Sequence, residues 1–156
     1  MSQPGNESMV KVRRATREDV PAIVALLADD PLGAAREDLS DPAAYLVAFD
    51  AIDADPAHEL VVLDDGGVVV GTLQLTLLPG LSRHGATRAL VEAVRVASSH
   101  RGQRLGEQLL GWAADEARRR GAVILQLTTD ASRVDAQRFY ERLGFVGSHV
   151  GMKLPL

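Results

Sequence analysis

The stretch Val94-Arg95-Val96-Ala97-Ser98-Ser99-His100-Arg101-Gly102-Gln103-Arg104-Leu105-Gly106 decides how this chain is read. Val94 and Val96 close an apolar run, Ala89–Ala97, that has the composition of a strand. Ser98–Gly102 is a polar connection. Leu105, Leu109, Trp112 and Ala113 then recur at helical spacing up to Arg120, and Gly121 supplies a stop. A strand that enters a helix through a short glycine-containing loop leaves backbone N–H groups unpaired where the helix dipole favours an anion. Arg101 and Arg104 add positive charge, and no acid lies between Arg95 and Gly106. The ligand these features ask for contains phosphate. There is no Gly-Lys-Ser/Thr and no G-x-G-x-x-G, so neither a Walker loop nor a dinucleotide fingerprint is present. On spacing alone, an ordinary helix entry with a flexible cap competes with the phosphate reading.

Working outward, Val10–Arg14 reads as a first strand. Thr16 and Asp19 stand in capping-box spacing before a helix marked by Val20, Ile23, Val24 and Leu27. Pro42–Ala54 predicts a second helix through Tyr45, Leu46, Phe49 and Ile52. Leu60–Leu63 and Val68–Leu78 are strand-like and are separated by Asp64-Asp65-Gly66-Gly67, a hairpin signal. Downstream, Val123–Leu127 predicts another strand. Ser132 and Asp135 cap a final helix that carries Ala136, Phe139, Tyr140 and Leu143 on one face. Gly144-Phe145 leads into a last extended stretch ending near Leu154. The order β-α-α-β-β-β-α-β-α-β predicts one α/β domain over residues 9–156, a single mixed β-sheet flanked by helices, after a polar leader over residues 1–8. Its strand–helix–strand unit should cross over right-handed.

The chain of 156 residues is 46% hydrophobic and 24% charged, within the range of one soluble globular domain. It has no cysteine, which excludes disulfides, thiolate metal sites and covalent catalysis through an enzyme thiol. No apolar run approaches the ~20 residues of a membrane span, and a net charge of −4 disfavours general nucleic-acid binding. A soluble, cytoplasmic protein without nucleic-acid or membrane partners is expected; a homodimer is admitted but not required. Nine acids between Asp29 and Glu59 stand against Arg36 alone, so that segment carries −8 and the rest of the chain +4. Segregated charge of this kind can steer ligands to different faces, or it can be only a solvated surface.

Arg101–Gly106 resembles the pyrophosphate-binding Q/R-x-x-G-x-G/A loop of the GNAT family of N-acetyltransferases. Asp135–Phe145 resembles that family's second signature, A-x-x-x-Y-x-x-x-G-F, through Ala136, Tyr140, Gly144 and Phe145. Arg13-Arg14-Ala15-Thr16, followed by Asp19 and an apolar helix, is similar to the family's usual opening. Two positions depart from the pattern: Arg104 stands where glycine is common, and Arg133 where asparagine is common. The resemblance implies the acyl-CoA N-acyltransferase fold and direct transfer of acetyl from acetyl-CoA to an amine in a ternary complex. It implies cofactor contacts from the backbone of Val94, Arg95 and Val96 and from Arg101, Gly102, Gln103, Arg104, Leu105 and Gly106. An N–H of the same strand would polarise the thioester carbonyl.

Tyr140 is the candidate general acid, because a phenol near pKa ~10 can protonate a thiolate whose conjugate acid lies near ~8.5; the competing reading is a core tyrosine. Glu92 interrupts an apolar strand and is the candidate base for an amine that is almost wholly protonated at neutral pH; a salt bridge, as to Arg95, is its bland alternative. His58, His84, His100 and His149 show no metal-ligand spacing, so no metal is expected. His149 is a weaker acceptor-side candidate, Pro79–Gly85 could wall the acceptor pocket, and Trp112 reads as packing. In the resembled architecture the two N-terminal helices border the acceptor side. Their acidic segment therefore predicts a positively charged primary amine as acceptor, on a small molecule or a peptide. A non-catalytic acyl-CoA sensor on the same fold is the alternative function.

Overall fold

The computed structural model describes residues 9–156, so the leader expected over residues 1–8 lies outside the described residues. One sheet contains β1 (Lys11–Arg14), β2 (His58–Asp65), β3 (Val68–Pro79), β4 (Thr87–Val96) and β5 (Ala122–Leu127), in that spatial order. Neighbours from β1 to β4 are antiparallel, and β5 runs parallel to β4. Helices α1 (Val20–Ala28), α2 (Pro31–Arg36) and α3 (Pro42–Ala54) precede β2. A single turn, α4 (Ser82–Gly85), joins β3 to β4; α5 (Leu105–Arg119) connects β4 to β5, and α6 (Val134–Arg142) follows. The mixed sheet flanked by helices is the architecture expected from the sequence.

Alternation along β2 builds two cores. Val61 and Leu63 pack with Leu73, Leu75, Val91 and the Leu105–Leu109–Ala113 face of α5. Val62, between them, packs with Val20, Ile23, Val24 and Phe49 of α1 and α3. Burying each such aliphatic side chain contributes roughly 1.5–3 kcal/mol. The β2–β3 hairpin closes through Gly66 and Gly67, both at positive φ, and the Gly67 N–H donates to Asp64 Oδ1 at 2.6 Å. Arg13 then ties three elements together. Its Nη atoms donate to Asp19 at 2.7 and 3.0 Å, and its Nε donates to Asp64 at 2.6 Å. These bonds hold both carboxyls below the usual aspartate range.

Three features differ from the sequence expectation. Helix α2 was not anticipated; Asp30 caps it by accepting the Gly33 N–H at 2.6 Å, and Pro31 occupies its first position. The pairing of β4 with β3 is irregular. Thr72 faces Arg95 while Gln74 faces Glu92, so β4 carries one extra residue, and Ala93 adopts φ 54°. This is a β-bulge. The last extended stretch, expected as a strand to Leu154, forms no paired strand, and its apolar residues from Val146 to Leu156 are exposed. Alternating polarity can mark a strand, but pairing also requires a neighbour's edge.

Candidate active site

The bulge decides where the site opens. Strand β5 pairs with β4 only from Thr87 to Val91. Beyond it, Glu92–Val96 keeps β3 on one side and has no strand on the other among the described residues. Val94, Arg95 and Val96 thus border an opening where β4 and β5 part. Main-chain groups on that edge must find a ligand or water.

The loop that follows leads into α5. Gly102 has φ 79° and Arg104 has φ 59°, in the left-handed region, and no side chain caps the first turn of α5. Left-handed backbone explains why glycine is common at the Arg104 position in the resembled pattern. The Arg104 side chain turns back to Glu107, at 3.0 and 2.9 Å. Arg101, Gly102 and Gln103 are exposed, and Arg101 has no ion pair among the described residues. His100 Nε2 lies 3.0 Å from Asp65, which pins the loop to the β2–β3 hairpin. Leu105 is buried and anchors the helix start. Gly106 has a role the loop reading missed: a Cβ there would lie 3.1 Å from Phe139 Cζ, so it lets α5 approach α6 closely. Uncapped N–H groups, a glycine turn and an unpaired cation suit an anionic ligand, and the open edge of β4 offers main-chain groups to an extended one.

Tyr140, on α6, is partly buried in an aromatic cluster. Its ring lies 5.2 Å from Phe139 and 5.8 Å, edge-on, from Phe145. Burial pushes its phenol above the ordinary range, and Arg95 and Arg133 pull it back. The group therefore holds its proton at neutral pH. Glu92 stands exposed at the bulge, and the salt bridge to Arg95 considered for it does not form: Arg95 pairs with Asp30 instead.

That pairing forms a cluster that sequence reading did not assemble. Arg133 Nη2 donates to Asp30 Oδ2 at 2.8 Å, and Arg95 Nε lies 3.2 Å from the same oxygen. The second contact is close enough for charge attraction but misaligned, and the buried Arg95 Nε–H has no hydrogen-bond acceptor. Arg95 Nη1 donates to its neighbour's carbonyl, Val94 O, at 2.9 Å. Burial lowers the Arg95 pKa, and nearby Arg133 and Arg36 add to that. One carboxylate is thus shared by two guanidinium groups, with a third in electrostatic reach. The cluster joins residues 30, 95 and 133, so no local pattern reveals it. His149 is exposed and bonds its neighbour Ser148. A separate apolar pocket of about 130 Å³ between α1 and α3 contains none of these residues. Among the described residues, no group of three or more His, Cys, Asp or Glu could hold a metal ion, and no helix is long and apolar enough to cross a membrane.

These elements define an α/β domain whose mixed sheet parts between β4 and β5 beside a helix start without a side-chain cap. The chain belongs to the GNAT acetyltransferase family, whose model matches residues 20–145, and it is an acetyl-transferring enzyme. It is 34% identical over 139 residues to an aminoalkylphosphonate N-acetyltransferase of Salmonella typhimurium, a match that covers 89% of this chain and 86% of that protein. A solved structure from Bacillus halodurans, described as a transcriptional regulator, superposes with a TM-score of 0.91 at 46% identity, covering 94% and 99% of the two chains. The glucosamine-6-phosphate N-acetyltransferase of Arabidopsis thaliana shares the fold, with a TM-score of 0.78 at 19% identity over 94% of this chain and 98% of that one.

Proposed function

We propose that this enzyme acetylates the primary amine of a small acceptor that also carries a compact anionic group, an aminoalkylphosphonate or a close analogue. The observation that carries this reading is the buried, acceptor-less Arg95 Nε–H beside Arg133, both sharing the single carboxylate of Asp30. An anion entering there would satisfy an orphan donor and offset the surplus positive charge. The phosphonate named for the Salmonella relative fits that demand. The acceptor expected from the acidic segment was cationic, and in this reading it is cationic at its amine nitrogen only. Much of the segment's acid is already engaged: Asp50 with Arg17, Asp53 with Arg14, Glu59 with Arg120, and Asp30 within the cluster.

Bound acetyl-CoA would supply the activated acetyl thioester, held by Val94–Val96 and by Arg101–Gly106. Tyr140 keeps a proton on Oη, available to a departing thiolate. Glu92, directly or through water, accepts a proton from the ammonium so that the amine can attack. The absence of cysteine leaves no thiol for an acyl-enzyme, which supports direct transfer within a ternary complex.

Thiol release from acetyl-CoA tests the reading without background from the protein. An aminoalkylphosphonate should give a kcat/KM at least ~10-fold above that of the matching alkylamine or a polyamine. Arg133→Ala should erase that preference while leaving the plain alkylamine rate within about twofold, since one charge-assisted hydrogen bond contributes roughly 1.5–3 kcal/mol. Preference for a polyamine over the phosphonate would overturn the anionic-acceptor reading.

A further inference from the structure

Asp30 belongs to two structures at once. Its Oδ1 accepts the Gly33 N–H at 2.6 Å and caps α2. Its Oδ2 accepts from Arg133 Nη2 at 2.8 Å and lies 3.2 Å from Arg95 Nε. Among the described residues it is the one carboxylate within ion-pair distance of either guanidinium. The cap end is fixed. A Cβ on Gly33 would fall 1.8 Å from Leu27 O, so α2 sits hard against α1 and holds the carboxylate where it is. The guanidinium end is looser. Arg133 stands at the start of α6 with its side chain 30% exposed, and one hydrogen bond ties it to Asp30. The Arg95 side chain is 21% exposed and its Nε–H has no acceptor. A guanidinium held this far from water without a counter-charge is costly, so the empty site needs an anion of its own.

We propose that Asp30 is a resident stand-in for the acceptor's anionic group and thereby sets the anion affinity of the site. It holds Arg95 and Arg133 in place while the site is empty. When the acceptor binds, Asp30 stays on its cap and yields the Arg133 hydrogen bond to the incoming anion. This deepens the anionic-acceptor reading above and rests on it. One fixed carboxylate against two guanidiniums leaves a single surplus positive charge, enough to attract an anion and too little to trap it. Release gains most. Acetylation removes the positive charge of the amine, so the product is more anionic than the acceptor, and the resident carboxylate eases its departure.

Calorimetry with methylphosphonate, which has no amine to acetylate, tests the proposal. Asp30→Asn and Asp30→Ser both keep an oxygen that can cap α2 and remove the competing charge. Each should bind methylphosphonate about 10-fold or more tightly than the wild type, the range of one charge-assisted hydrogen bond. Each should also melt earlier in anion-free buffer and gain more from added methylphosphonate than the wild type does. The KM of an aminoalkylphosphonate should fall relative to that of the matching alkylamine, with kcat no higher. A role confined to capping α2 would move none of these readouts. Unchanged or weaker methylphosphonate binding in either variant, while Arg133→Ala still weakens it in the wild-type background, would overturn this proposal alone. No methylphosphonate binding by the wild type or by either variant would overturn it together with the anionic-acceptor reading.

Discussion

Strands β2 and β3 and strand β5 belong to one sheet but live in different environments. Val61, Val62, Leu63, Leu73 and Leu75 expose 1% or less of their surface, whereas β5 and α6 together bury no residue. The first region is held by layers on both faces. The second is held chiefly by its parallel pairing to β4 and by the Phe139–Tyr140–Phe145 aromatic cluster packed on α5 through Gly106. The contrast teaches that the proposed site draws on both regions: Glu92 and Arg95 stand on β4, and Arg133 and Tyr140 at the start and on the length of α6.

The largest expected effect comes from a single hydroxyl on the lightly packed side. Tyr140→Phe keeps the ring contacts and removes only the hydroxyl. If the phenol is the acid, kcat should fall by about 10²–10⁴-fold, with little change in acetyl-CoA affinity or thermal midpoint. Because burial keeps the phenol protonated, the wild-type kcat should show no loss from Tyr140 ionisation below about pH 10, the ordinary phenol value. A fully active Tyr140→Phe enzyme would return the residue to a packing role.

A second test sharpens the contrast in packing. Leu73→Ala, in the closed core, should cost about 2–5 kcal/mol in denaturant unfolding, and Leu125→Ala, on β5, about 1 kcal/mol. Equal costs would show that the two regions are packed alike.

The smallest effect concerns the fastening of the well-packed region. Arg13→Gln should cost about 2 kcal/mol at neutral pH, since it leaves Asp19 and Asp64 without their cation. Both carboxyls are held below their ordinary value, so the stability they contribute is complete above about pH 4. It is lost as pH falls through their lowered folded values. Thermal midpoints from pH 2 to 7 should therefore drop less steeply on acidification in Arg13→Gln than in the wild type.

Local signals made most of the fold legible. Period-3.6 apolar spacing marked α1, α3 and α5, and Asp64–Gly67 marked the hairpin with both glycines at positive φ. Helix α2 escaped because six residues containing Pro31 and Gly33 carry no measurable period; its cap, Asp30, was read only as one acid among nine. The bulge escaped because nothing about alanine announces a φ of 54° at Ala93. The last stretch was expected as a strand to Leu154, but it pairs with no edge among the described residues, and pairing needs a neighbour that its own sequence does not supply. Within the site, Arg101–Gly106 and Tyr140 lay in continuous motifs. The Asp30–Arg95–Arg133 cluster spans 103 residues, and only the folded chain brings it together.

The bulge at Ala93 also gives β4 two vocabularies. Its main chain is unpaired by β5 after Val91, and in the proposed function that edge serves the acetyl donor while the side chains of Glu92 and Arg95 serve the acceptor. Main-chain groups are the same whatever the residue, so acceptor preference can drift or be redesigned at Arg95 without rewriting the grip on the acetyl donor. On that proposal a single strand is modular: a fixed socket for the donor beside an editable reader for the acceptor.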